Sequence, residues 1–253
     1  MTSAEILWRT VITVAVVGLV VFALSNSAYD FRFDQTWDYR WSFLRGLGVT
    51  LAATALAYVL GLVLGVVVAL ARMSNLLVFR HLGDLYVELV RGTPFIVQVS
   101  IAWWGVASQI EGLDNRFLVG TLALGVFAAA YMGEIIRAGV ESVNRRQFEA
   151  ARSLGLSRRQ CLRHVVFPQA FKRMIPPMTG ELIALTKESS LLFTIGVAEL
   201  MAAGDEMGAN TTRNFEGILI VAVLYLCITI PLSMLARRIE RRLGKSARGG
   251  IAL

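Results

Sequence analysis

Between Gly46 and Ala71 the chain carries no charged side chain. As a helix this run rises about 39 Å at 1.5 Å per residue, enough to cross the ~30 Å hydrocarbon core of a bilayer. Helices suit that setting because they satisfy their own backbone N–H and C=O groups. Thr10 to Tyr29 and Gly217 to Ala236 are further uncharged runs. Composition agrees, with 56% hydrophobic and 17% charged residues, against about 45–50% and about 25% in globular domains. The expected solvent is lipid and the expected fold class is all-α, polytopic.

Six spans are expected. The first covers Ile6 to Leu24, with Arg9 snorkelling at its start; its long apolar run, with no Ala-x-Ala site after Leu24, reads as a retained helix rather than a cleaved signal. In the second, Gly46 to Ala71, Gly61 and Gly65 form a small-x-x-x-small pair that admits a close neighbour. The third, from Gly83 to Ile110, is interrupted by Arg91, Gly92, Thr93 and Pro94, with Thr93 able to cap and Pro94 to open the next turn. The fourth, Phe117 to Val140, carries Gly125, Ala129 and Gly133 on one face. The fifth, Pro177 to Met201, contains Glu181, Lys187 and Glu188, so protein or water must face it. The sixth, Gly217 to Ala236, should kink at Pro231.

Basic residues set the orientation, since Lys and Arg stay cytoplasmic. Arg72 and Arg80 follow span two, Arg145 to Arg173 hold eight basic residues after span four, and Arg237 to Arg248 hold six after span six. The loops Asp30 to Arg40, Glu111 to Arg116 and Asp205 to Glu216 are acidic or balanced. Both termini are expected in the cytoplasm. The net charge of +7 therefore marks loops beside apolar runs rather than a nucleic-acid surface. Two cysteines, Cys161 and Cys227, give no disulfide framework.

The stretch Gln147 to Pro168 is too long for a minimal connection and too patterned for a disordered one. A first helix is expected over Phe148 to Leu154, with Glu149 and Arg152 one turn apart, Ala150 and Ala151 leaving a shallow face, and Gly155 as its C-terminal cap. A second begins at Ser157, whose pairing with Gln160 is a capping box, and should end at Pro168. A short helix with small central residues can enter a groove on a partner.

Glu149, Ala150, Ala151, Gly155, Val165, Phe167 and Pro168, at their spacing, resemble the Glu-Ala-Ala loop of binding-protein-dependent ABC permeases. Val165 and Phe167 stand where the family usually shows Ile and Leu. Arg91 to Pro94, Tyr131 to Gly139 and Lys187 to Leu191 look like the polar amino acid branch, which includes glutamine, histidine and arginine permeases. The resemblance covers about Trp41 to Leu243 and implies a five-helix permease core, with span one as an addition. It divides the chain into residues 1–40, a transmembrane domain 41–243 with a coupling loop 141–173, and a tail 244–253.

The resemblance also implies a mechanism. Glu149, Ala150, Ala151, Arg152, Gly155 and Pro168 would form the coupling element that docks on a cytoplasmic ATPase. Two ATPase subunits, a second permease, identical or related, and an extracytoplasmic amino-acid-binding protein would complete an importer of the prokaryotic cytoplasmic membrane. ATP and Mg would bind the ATPase subunits, with no cofactor on this chain. Gly244, Lys245 and Ser246 resemble the end of a P-loop, but Ile239 stands where its first glycine belongs. His81 and His164 are isolated, and no nucleophile elbow occurs, so no catalytic or metal site is expected.

Four charged residues are candidates for the substrate path: Lys187, Glu188, Glu134 and Arg91. A zwitterion needs an anion and a cation partner in a water-filled cavity. The same residues could serve structure, with Glu134 pairing Arg137 and Glu88 pairing Arg91. A secondary transporter or channel acting without an ATPase is the alternative, for which an inverted repeat would be expected and none is visible.

Overall fold

A computed structural model describes residues 29–248 and, before them, helical positions Trp8, Val11, Ile12, Ala15 and Gly18; the side chains of Arg242 and 244–248 fall outside the description. The expected first span, Ile6 to Leu24, lies outside the described residues apart from those five positions. The chain divides into a short unit, Met1–Gln35, and a main unit, Thr36–Leu253. In the short unit Arg32 pairs with Asp30 at 2.8 Å and Tyr29 meets Phe31 edge-on.

Every regular element described in the main unit is helical. Helix α1 (Arg40–Arg72) is followed by α2 (Leu77–Gly92) and by α3 (Phe95–Ser100), which continues through a π turn (Ile101–Val106) and a 3-10 turn (Ala107–Gln109). Then come α4 (Arg116–Glu141), α5 (Arg145–Ser153) and α6 (Arg158–Cys161), the last joined by a π turn (Leu162–Val166) to α7 (Phe167–Glu188). A 3-10 segment (Ser189–Ile195) leads to α8 (Leu200–Thr211) and α9 (Asn214–Arg248).

Among the described residues three segments are long and apolar enough to cross a membrane: Asp34–Arg72, Arg116–Glu141 and Asn214–Arg241. The pair Leu77–Gly92 and Phe95–Gln109, bent by 102°, makes a fourth if taken as one span. Lys172, Arg173, Glu181, Lys187 and Glu188 make α7 too polar to pass as a lipid-facing span on composition.

Helix α4 is the hub: 61% of its most apolar stretch is buried, against 28% for α1 and 6% for α9. Its small-residue ladder interlocks with that of α1. A Cβ on Gly61 or Gly65 would stand 2.6 Å from the Cβ of Ala128 or Met132, and one on Gly125 2.6 Å from Leu60. Lipid provides little hydrophobic drive for helix association, so such close backbone packing is what holds the pair together.

On its other side α1 meets α8 and α9 through a buried carboxylate. Glu199 caps α8 by accepting from the Ala202 amide at 3.0 Å, and it accepts from the hydroxyls of Tyr225 at 3.1 Å and Thr50 at 3.4 Å. Three donors on a fully buried acid meet the requirement that an interior charge be hydrogen-bonded.

Several expected boundaries are corrected. The segment Pro177 to Met201 is not one continuous helix: its helix begins at Phe167 and, after the 3-10 turn, the chain breaks at Gly196, with φ +81, before α8. Arg116 fills the space a Cβ at Gly196 would need. Hydropathy runs smoothly through this point, so it hides the break. Pro168 does not end a helix; it lies in the first turn of α7, where its missing N–H costs little. At the α2–α3 break Thr93 caps backwards, its hydroxyl donating to the Leu89 carbonyl at 2.9 Å, and Pro94 flanks α3 rather than entering it. Pro231 lies inside α9 without ending it.

Candidate functional site

Two sites need geometry: the loop between α4 and α7, and the place where the charged path residues fall. In the loop, α5 starts at Arg145, three residues earlier than the expected Phe148, because the Asn144 side chain caps it by accepting from the Arg146 amide at 2.9 Å. Arg145 pairs with Glu149 at 3.1 Å, one turn on. At the other end the Gly155 N–H donates to Arg152 O at 3.0 Å and the Leu156 N–H to Ala151 O at 3.3 Å. These two bonds define a Schellman closure, and Gly155 supplies the left-handed φ of +86 it needs.

The capping box also forms: the Ser157 amide donates to the Gln160 side chain at 2.8 Å, and the Gln160 amide to Ser157 Oγ at 3.3 Å. Ala151 is buried and faces inward, whereas Glu149, Ala150, Arg152, Gly155 and Pro168 are exposed. Leu154 is 81% exposed, the most exposed large apolar side chain described. The result is a rigid projection whose outer face is small and apolar at Ala150 and Leu154. It is tied to the bundle where Arg173 donates to the Ser142 carbonyl and Met174 packs on Gly139.

The path candidates separate into two places. Arg91 and Glu188 line one recess of about 440 Å3 with Thr93, Pro94, Phe127 and Tyr131. The Arg91 guanidinium stands 5.2 Å from the Tyr131 ring centroid, and Phe127 stacks obliquely on Tyr131 at 5.0 Å. No ion pair joins Arg91 to Glu88 among the described residues. Glu181 lies two turns before Glu188 on the same face of α7, within electrostatic reach of Glu188 and Arg91. The recess therefore offers a cation, a carboxylate and two aromatic faces, in a volume usual for small-ligand sites.

Glu134 is elsewhere, held by Arg72 and, at 2.5 Å, by Arg137. The Glu134–Arg137 pair is thus present. Lys187 is exposed and does not line the recess. Two participants escaped sequence reading: Phe127, and Gln98, which pins the α2–α3 break by donating to Val90 O at 2.7 Å and to Thr93 Oγ1 at 2.9 Å. Tyr131 stands out in the sequence only as the first residue of the Tyr131 to Gly139 run, with no role of its own. Among the described residues no group of three or more His, Cys, Asp or Glu is placed to hold a metal ion.

Residues 61–245 match the family described as binding-protein-dependent transport system inner membrane component. The chain belongs to this family. It is 37% identical over 179 residues to a probable glutamine ABC transporter permease of Bacillus subtilis (strain 168), covering 71% of this chain and 82% of the relative. It is also 37% identical to the glutamine transport system permease of Escherichia coli (strain K12), over 66% of this chain and 76% of that protein. A chain in the crystal structure of an amino acid ABC transporter with histidines superposes with a TM-score of 0.80 at 36% identity, covering 85% of this chain and all of that one. The protein is a multi-pass membrane permease subunit of an amino-acid ABC importer, and such subunits are not catalytic. Membership implies an ATPase and a binding protein as partners, and it removes the stand-alone transporter from consideration.

Proposed function

We propose that this permease imports polar amino acids across a prokaryotic cytoplasmic membrane, with α5 as the coupling helix. The observation that carries the reading is the α5 projection, with Ala150 and Leu154 exposed on a short helix capped by the Asn144 side chain at its start and closed by Gly155 at its end. A rigid knob with small side chains can sit in a groove on another protein with little loss of entropy. Two cytoplasmic ATPase subunits, carrying ATP and Mg, would receive α5 and its counterpart from a second permease. Six spans would place both termini and the 141–173 loop on the cytoplasmic side, in keeping with the positive-inside rule.

An extracytoplasmic binding protein would deliver the amino acid, and the Arg91–Glu188 recess would receive it. Arg91 would meet the substrate carboxylate, Glu188 its ammonium group, and Tyr131 and Phe127 would exclude water from these contacts. Two relatives are named as a probable glutamine permease and a glutamine permease, in keeping with a recess that addresses the zwitterion common to all amino acids.

The test is Gly155→Glu in proteoliposomes holding the whole importer. The substitution strains the left-handed residue and adds charge to the knob. Uptake should fall to background while the permease stays in the membrane and the ATPase still turns over. Uptake and hydrolysis that remain in wild-type proportion would remove α5 from the coupling role.

A further inference from the structure

At the loop end of the bundle a chain of ion pairs crosses three helices. Arg72, the last residue of α1, donates through Nε to Asp84 Oδ1 of α2 at 2.7 Å, and its Nη1 pairs with Glu134 of α4. Glu134 also accepts from Arg137 at 2.5 Å, and Arg137 reaches Glu141, the last residue of α4 and the first of the 141–173 loop, at 2.6 Å. Arg72 is only 13% exposed although its partner Asp84 is 41% exposed. It gains its position because Gly83 has no side chain: a Cβ there would stand 2.6 Å from Arg72 Cγ. The planar guanidinium fork holds two carboxylates from two helices in one fixed geometry, which the point charge of a lysine cannot reproduce.

Asp84 and Arg91 are seven residues apart in α2, on one face and about 10 Å apart along the axis. Glu134 and Tyr131 are one turn apart on α4. Helix α2 is therefore held to α4 at two levels: through Arg72 near the loop end, and through Arg91 over Tyr131 at the recess. Tyr86, between Asp84 and Arg91 in the α2 sequence, adds a hydroxyl bond to the Val126 carbonyl of α4.

We infer that Arg72 is a positioning residue of transport, joining α1, α2 and α4 into one unit through which movement of the coupling loop at Glu141 reaches Arg91 in the recess. The inference rests on the proposed coupling role of α5. Removing the fork leaves two carboxylates facing each other, Asp84 and Glu134, and frees α2 to move independently of α4. Loop displacement would then be absorbed at the loop end instead of opening the recess.

The experiment measures amino acid taken up per ATP hydrolysed, with the intact importer and its loaded binding protein, for Arg72→Gln, Arg72→Lys, Gly83→Ala and Asp84→Asn beside Gly155→Glu. Arg72→Gln should lower the ratio roughly tenfold, the middle of the range by which network residues change coupling between sites. Arg72→Lys and Gly83→Ala should lie between it and wild type. If Arg72→Gln does not assemble, the half-exposed Asp84→Asn is read in its place, with a severalfold loss expected. Should Gly155→Glu uncouple while the Arg72 and Asp84 variants keep a wild-type ratio, the clamp is wrong and the docking proposal stands. Uptake and hydrolysis falling together, in step with the amount of complex, would likewise reduce Arg72 to a structural role. A wild-type ratio in Gly155→Glu would overturn the docking proposal itself.

Discussion

The loop proposed to dock on the ATPase and the Arg91–Glu188 recess are built from contacts of opposite range. Every bond that shapes α5 and the start of α6 joins residues within five positions of each other, from Asn144 on Arg146 to Leu156 on Ala151 and Ser157 on Gln160. The recess assembles Arg91 from α2, Phe127 and Tyr131 from α4 and Glu188 from α7, and exists only if those helices pack correctly. A locally determined projection keeps its shape while the bundle behind it moves, which suits an element that transmits force. A recess shared among helices changes shape when any of them shifts, which suits an element that must open and close.

The two regions should then fail differently. The largest effect is expected from a bulky replacement of the exposed Ala150, such as Ala150→Trp: uptake should fall at least tenfold with the loaded binding protein still able to dock, measured as uptake per ATP in proteoliposomes. Next, Glu188→Gln should reduce uptake roughly tenfold without lowering the amount of assembled importer, a loss of about 1.4 kcal/mol in recognition. The comparison breaks if Ala150→Trp alters substrate affinity or Glu188→Gln alters coupling.

Smaller effects sharpen it. Gly65→Ala places a Cβ against Met132, and should destabilise the α1–α4 pair by about 1–3 kcal/mol. Thermal unfolding in detergent checks this, and because it disturbs packing, the recess should suffer before the loop does. Ser157→Ala removes one half of the capping box and should cost about 1 kcal/mol, confined to the loop and seen as faster amide exchange there.

This difference in range also explains what could be read from the residues. Gly155, Ser157 and Gln160 announce their caps because each partner is three to five positions away. Gly61 and Gly65 announce a close neighbour, and the structure supplies α4, whose own Gly125 and Gly133 complete the fit. The break at Arg91–Pro94 was legible, but not the side chain that fixes it, because Gln98 folds back on Val90 from beyond the proline. Gly196 was not read as a break because it sits among apolar residues that satisfy a hydropathy window on either side. The grouping of Arg91 with Glu188, and of Glu134 with Arg72, depends on helix packing that sequence spacing does not encode. Pairing within one helix, as for Glu134 and Arg137, does follow from spacing.

Contact between α5 and an ATPase subunit can be measured directly by crosslinking. Leu154→Cys places a thiol at the exposed tip of the projection; of the native cysteines Cys161 is buried, and exposed Cys227 is replaced by alanine. In the assembled importer the tip thiol, alkylated with a maleimide–benzophenone reagent whose photoactivated end inserts into nearby C–H bonds, should join the ATPase subunit, with a yield that changes between ATP-bound and nucleotide-free states. An importer that assembles and transports, yet never links the tip to its ATPase in any nucleotide state, would contradict the account.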